Sequence, residues 1–246
     1  RTITQRSTRS ALGIYLHIDL LGPPLVQWEG KNLTISRRSV RALLYYLATS
    51  GTAVSRGNLC LIFWPDIPEA HARRNLTRLL THLRMELPDP ALLSADEDLV
   101  VLDESRCQCD VRRFRQVDAA HKPDLSTLEQ AIQLYRGPFL SGFYLPDSNE
   151  FEAWAFQQRT DLEIHTLHLL DHLVDAYTAQ QDFTQAIQAA RRYLETDDLA
   201  EEMHRKLIAL YGRTGERAKA LHQYETCVAV LERELGTDPL PETTAV

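Results

Sequence analysis

The chain has 246 residues, 44% of them hydrophobic, which is enough for two ordinary domains each with its own core. No stretch approaches the roughly 20 apolar residues that span a bilayer, and the polar start RTITQRSTRS lacks the apolar centre of a signal peptide; a membrane partner is excluded and a cytoplasmic location expected. A formal net charge of −7 argues against indiscriminate nucleic-acid binding, but the charge is uneven. Between Arg37 and Arg84 eight arginines face only Asp66 and Glu69, whereas from Asp110 onward 14 basic residues face 23 acidic ones.

Alternating Tyr15, Leu16, Ile18 and Leu20, then Leu25-Val26 and Leu33-Thr34-Ile35, predict a small antiparallel sheet broken at Gly22-Pro23-Pro24. Helical spacing follows at Val40, Leu43, Leu44 and Leu47, ended by Gly51. Ala53-Val54-Ser55 reads as a short strand, and Ser55 as the cap of a brief helix through Leu59, Ile62 and Phe63 that Pro65 stops. A long helix is predicted from about Glu69 to Leu87, closed by Pro88 and Pro90. Strands at Ala91–Ser94 and Leu99–Leu102 flank a tight turn at Ala95-Asp96-Glu97-Asp98. Sheet, three helices and a terminal hairpin is the order of a winged helix.

Beyond residue 106 the pattern is helical: Val111 to His121, Leu125 to Tyr135, a break at Arg136-Gly137-Pro138, then a long run from Asn149 to Gln180. Leu173, Tyr177, Asp182, Ala186 and Ile187 recur as Leu207, Tyr211, Glu216, Ala220 and Leu221, a constant offset of 34 residues. That is the tetratricopeptide period, in which paired helices stack to bury what one pair alone leaves exposed. The fold class is therefore mixed, an N-terminal α+β winged helix followed by an all-α tetratricopeptide-like repeat domain.

The sharpest chemical signal is Ala72 to Arg84. Leu76, Leu80, Leu83 and Leu87 form one apolar stripe, and the opposite face carries Arg74, Arg78 and Thr81, with Asn75 and His82 on one shoulder and Arg73, Thr77 and Arg84 on the other. Arginine pairs bidentately with guanine, asparagine with adenine, and threonine meets a thymine methyl, so Arg74, Asn75, Arg78, Thr81 and His82 are candidate base readers. Arg37, Arg38 and Arg56, near the starts of the other two helices, join Arg73, Thr77 and Arg84 as candidate phosphate contacts. Read blandly, this is a solvated arginine face, and the winged-helix order and local charge tip the balance towards DNA. An adaptor in which the winged helix and repeats bind proteins is the alternative.

Other constellations are weaker. Cys60, Cys107, Cys109 and Cys227 are read as reduced thiols, since Cys107-x-Cys109 lacks a second ligand pair for zinc. His165, His168 and His172, near Asp161, Asp171 and Asp175, have spacing that permits a metal or a pH response. Trp64, Trp154, Phe151 and Phe156 are read as packing residues. No phosphate loop, nucleophile elbow or HExxH is present, so no enzyme and no cofactor is expected. The concave face of the repeats is suited to a peptide or small effector.

The chain resembles the antibiotic-regulatory activators of the SARP type, a winged helix followed by a bacterial transcriptional activator domain. The resemblance is carried by Arg37-Arg38-Ser39-Val40-Arg41-Ala42-Leu43-Leu44, Val54-Ser55-Arg56, Phe63-Trp64-Pro65-Asp66 and, on the third helix, Ala72-Arg73, Leu76, Leu83-Arg84 and Leu87. Cys109-Asp110-Val111-x-x-Phe114, Tyr135-Arg136-Gly137-Pro138-Phe139-Leu140 and Glu234-Leu235-Gly236-Thr237-Asp238-Pro239 extend it. It implies binding to repeated promoter sites on double-stranded DNA, as two or more copies such as a homodimer, and recruitment of RNA polymerase. Two departures stand out: the wing turn Asp96-Glu97-Asp98 is acidic, and Leu79 replaces a polar groove residue. Residues 1–13 are read as a disordered or appended tail, 14–105 as the DNA-binding domain, 106–240 as the activator domain and 241–246 as a tail. The start at Arg1 without methionine suggests lost flanking sequence.

Overall fold

The computed structural model describes residues 16–118 and 123–246. The expected tail at 1–13, the strand residue Tyr15 and the helix end at His121 lie outside them. The chain forms two compact units that interleave in sequence: the first takes residues up to Arg113 together with Phe139–Phe156, the second Phe114–Pro138 and Gln157–Val246.

In the first unit, β1 (Leu16–Asp19) pairs antiparallel with β2 (Leu25–Trp28), which pairs with β3 (Lys31–Asn32). The third strand was expected at Leu33–Ile35. Glu29 and Gly30 both adopt positive φ, the signature of a two-residue hairpin turn, and this tight reversal brings the pairing forward. After α1 (Arg38–Ser50), which ends on Gly51 at φ 63, come β4 (Val54–Ser55) and α2 (Arg56–Phe63), with the Ser55 hydroxyl accepting from Asn58 N–H as foreseen. The third helix, α3, spans Glu69–Glu86. A single 3-10 turn at Pro90–Leu92, capped by Asp89, delays the next strand, so β5 is Leu93–Ala95 rather than Ala91–Ser94; it pairs with β6 (Leu99–Leu102), and β6 with β4.

A further strand, β7 (Cys107–Cys109), escapes the sequence reading. It runs parallel to β1, with Leu16 opposite Cys107 and Ile18 opposite Cys109, and puts both cysteines inside. Asp110, at the start of α4 (Asp110–Asp118), then turns its buried carboxylate onto the strand end: both oxygens accept from Leu20 N–H at 2.8 Å, and Oδ2 accepts from Leu21 N–H at 2.9 Å. Burial pushes this carboxyl up to about 6 against the pull of those N–H groups. The returning segment adds Leu140 N–H to Leu20 O and an aromatic cluster in which Trp154 lies 4.6 Å from Tyr46 and 5.1 Å from Phe151, and Phe151 5.8 Å from Phe63. Phe151 is fully buried, whereas Phe156 is 66% exposed.

In the second unit, α5 (Leu125–Leu134), capped by Asp124, precedes α6 (Asn149–Ala179), which begins in the first unit and continues into the second. α7 (Phe183–Leu194), α8 (Glu201–Arg213), α9 (Arg217–Leu235) and the single turn α10 (Pro241–Thr244) follow. The 34-residue offset is visible atom by atom. Asp182 N–H bonds Tyr177 O at 3.0 Å and Glu216 N–H bonds Tyr211 O at 2.9 Å, while Leu173, Leu207, Tyr177 and Tyr211 are all buried. The turn residue before each second helix has left-handed backbone, Gln181 at φ 62 and Gly215 at φ 76. A side chain in that region costs roughly 1 kcal/mol, so Gln181→Gly is expected to raise the melting temperature of the chain slightly and Gly215→Ala to lower it. A calorimetric scan in which both variants shift the same way would contradict this account.

His165 is buried, its Nε2 3.2 Å from Phe114 O and its ring edge-on to Phe114, while His168 and His172 are exposed. Asp171 and Asp175 are instead bound by Lys206 Nζ, and among the described residues no group of three or more His, Cys, Asp or Glu is placed to hold a metal. All four cysteines are free and buried, and burial pushes the thiols up, Cys107 to about 12 and Cys227 to about 11. Among the described residues no helix is long and apolar enough to cross a membrane.

Candidate nucleic-acid interface

α3 has no side-chain cap at its start and ends where Pro88 forces Leu87 into extended backbone. Its buried stripe is Ala72, Leu76, Leu79, Leu80 and Leu83. Leu79, expected on the groove face, is only 6% exposed: it widens the core stripe and leaves the polar face intact. That face presents Arg73, Arg74, Thr77, Arg78 and Thr81 to solvent, with Asn75, His82 and Arg84 half-buried along its margins.

The side chains differ in how they are held. Arg73 Nε bonds Glu69 Oε1 at 2.9 Å, an exposed pair one turn apart that contributes little to stability. Thr77 and Thr81 hydroxyls donate to the carbonyls of Arg73 and Thr77, each at 2.9 Å, which occupies the donor and leaves the methyl for apolar contact. Arg84 Nε reaches Leu93 O at 3.4 Å. Arg74 and Arg78, one turn apart and exposed, have no hydrogen bond or ion pair among the described residues.

The flanking arginines brace the helix. Arg37, at the cap of α1, lies with Nη1 2.6 Å from His82 Nε2; a guanidinium only donates, so the imidazole accepts there and carries its proton on Nδ1. One turn further along, the Glu86 carboxylate accepts from Ser36 N–H at 2.6 Å and from the Ser36 hydroxyl. Ser36 and Glu86 were missed by the sequence reading. The available signal was an acid in the last turn of a helix, which the helix dipole disfavours unless a donor faces it.

Arg56 sits at the wing. Its backbone N–H bonds Asp98 O and its Nε bonds Asp96 O, each at 2.7 Å, and Nη1 reaches Thr77 Oγ1 at 3.4 Å. Asp96 Oδ1 accepts from Asp98 N–H and Leu99 N–H, which hold this carboxyl below its ordinary range. Part of the acidity of the wing therefore builds the turn itself; Glu97 and Asp98 are exposed at the tip, and the charge of Asp98 acts on Arg73. Arg38 is exposed at the first position of α1. The arrangement is a rigid polar helix face with two free guanidiniums at its centre and fastened cations at its margins, a surface suited to phosphates and base edges.

Residues 102–246 match the family described as "Bacterial transcriptional activator domain". The chain is 25% identical to transcriptional regulatory protein MoaR1 of Mycobacterium tuberculosis over 94% of its own length and 78% of MoaR1. It is 25% identical to regulatory protein AfsR of Streptomyces griseus over 92% of its length but only 24% of AfsR. Among solved structures it is similar to Mycobacterium tuberculosis EmbR, determined in complex with a low affinity phosphopeptide, at a TM-score of 0.68 and 24% identity, covering 94% of this chain and 64% of that one. At that identity the likeness speaks for the fold.

Proposed function

The chain belongs to the bacterial transcriptional activator domain family, of the SARP type, and from that premise we propose that it selects promoter DNA by inserting α3 into the major groove. The observation that carries this reading is the pair Arg74 and Arg78, exposed one turn apart and without internal partners. A base edge is the natural partner of a free guanidinium on a helix of groove dimensions. Asn75, Thr81 and His82 extend the reading face, and Arg37, Arg38, Arg56, Arg73, Thr77 and Arg84 supply phosphate contacts that fix the register. On this reading residues 14–105 carry the DNA-contacting surface and 106–240 the activator domain. The acidic repeats contact RNA polymerase or a second copy bound at an adjacent promoter repeat, and the protein acts in the cytoplasm without catalysing a reaction.

The test is selection from random duplex DNA at moderate salt, run beside the Arg74→Ala/Arg78→Ala double variant. The parent is expected to enrich a repeated motif and the variant to lose it, each lost bidentate contact costing about 1–3 kcal/mol of discrimination. Arg73→Ala or Arg37→Ala should weaken all sequences alike and flatten the salt dependence. The carboxylates of Glu97 and Asp98 at the wing tip favour a second reading, in which the winged helix is a protein-binding surface. Absence of enrichment by the parent, with retention of a protein partner, would select that reading.

A further inference from the structure

The two helical repeats are covered differently. In the first, α8 packs on α7, where Ala186 and Ala190 are fully buried and Ile187 half-buried. One 34-residue period later the same positions on α9 are Ala220, Leu221 and Tyr224, and Leu221 is 57% exposed. With Ala209 and Gly212 of α8 they line a groove of about 810 Å³, whose wall is completed by Thr243 and Thr244 of α10 and by Val246. The face that α8 covers in the first repeat is covered by no long helix in the second among the described residues. The small residues Ala209 and Gly212 permit the close approach that helix packing needs.

The charge at the groove distinguishes it further. Among the described residues the charged side chains that line it are those of Arg213 and Arg217, where the first repeat has Ala179 and Phe183. Arg213 lies 5.5 Å over the Phe183 ring, and neither arginine has an ion pair among the described residues. A positive rim in an otherwise acidic half of the chain asks for carboxylates. We propose that this groove docks an amphipathic helix of a partner protein, its apolar stripe on Leu221 and Tyr224 and its acidic side chains against Arg213 and Arg217.

The full chain should be titrated, by fluorescence anisotropy, with a labelled synthetic 18-residue helix bearing leucines on one face and glutamates beside them, and with its lysine counterpart. The glutamate helix is expected to bind at least about tenfold tighter than the lysine helix. Leu221→Asp, which alters an exposed position and should leave the melting temperature unchanged, is expected to weaken binding about tenfold or more, as loss of a leucine contact implies. Arg213→Glu/Arg217→Glu should reverse the preference between the two helices. Equal binding of both, binding indifferent to Leu221→Asp, or no binding would overturn the proposal. So would sedimentation showing a dimer of the chain that Leu221→Asp dissolves, since a second copy would then be the occupant.

Discussion

A chain cut after residue 105 is expected to lose cooperative unfolding and dispersed amide resonances, although every winged-helix element lies before the cut. The truncation removes β7, the Asp110 carboxylate and the segment Phe139–Phe156. Leu20 and Leu21 N–H groups lose their acceptors, Leu20 O loses Leu140 N–H, and Tyr46 and Phe63 lose Trp154 and Phe151. Removing one buried phenylalanine side chain costs about 3–5 kcal/mol against a total stability of about 5–15 kcal/mol, so the combined loss exceeds what a unit of this size holds in reserve. A 1–105 fragment that melts cooperatively near the temperature of the full chain would show that the returning segments are dispensable.

Asp110→Ala is the point substitution with the largest expected effect. It leaves the Leu20 and Leu21 N–H groups buried without acceptors, at about 1–3 kcal/mol each. Denaturant melts should show the combined loss, about 2–6 kcal/mol, for the first unit, whereas Asp124→Ala, removing an exposed helix cap, should cost about 1 kcal/mol. The pH dependence has a definite sign. Because the folded carboxyl titrates near 6, above its ordinary value of 3.8, the native state holds a proton that the unfolded chain has released between those values. Stability from this group is fully present below about pH 4 and falls as pH rises towards 6. The slope should vanish in Asp110→Ala; an unchanged slope in the variant would assign the titration to another group.

Much of this architecture was legible because it depends on local rules. Gly51 and Ser55 mark helix ends by their own chemistry, and the 34-residue offset announces the repeats. What was not legible depends on partners far away in sequence. Cys107–Cys109 is too short to show a strand period, and it becomes a strand because β1 lies beside it. Asp110 reads as an ordinary helix-start acid until Leu20, 90 residues away, meets it. On α3 the spacing identified the polar face, including Arg74 and Arg78. It did not foresee that Arg37, Arg56, Arg73 and Arg84 are held by His82, the wing backbone, Glu69 and Leu93, because those distances follow from the packing of the helices and hairpin. Leu79 was misplaced for a related reason: a stripe drawn on one helix underestimates the width of a core that several neighbours line.

The buried thiols give each unit its own clock. Cys60, Cys107 and Cys109 lie in the first unit and Cys227 in the second, all buried, with burial favouring the unreactive protonated thiol. Cys60 also lines a surface pocket, whereas alkylation of Cys107, Cys109 and Cys227 needs opening events, and mass spectrometry that sorts these labelled cysteines by unit reads the opening of each separately. A promoter duplex that slows labelling at Cys107 and Cys109 but not at Cys227 would report binding at the first unit, and a helical ligand that slows Cys227 but not Cys107 and Cys109 would report binding at the second, in one unmodified protein and one experiment.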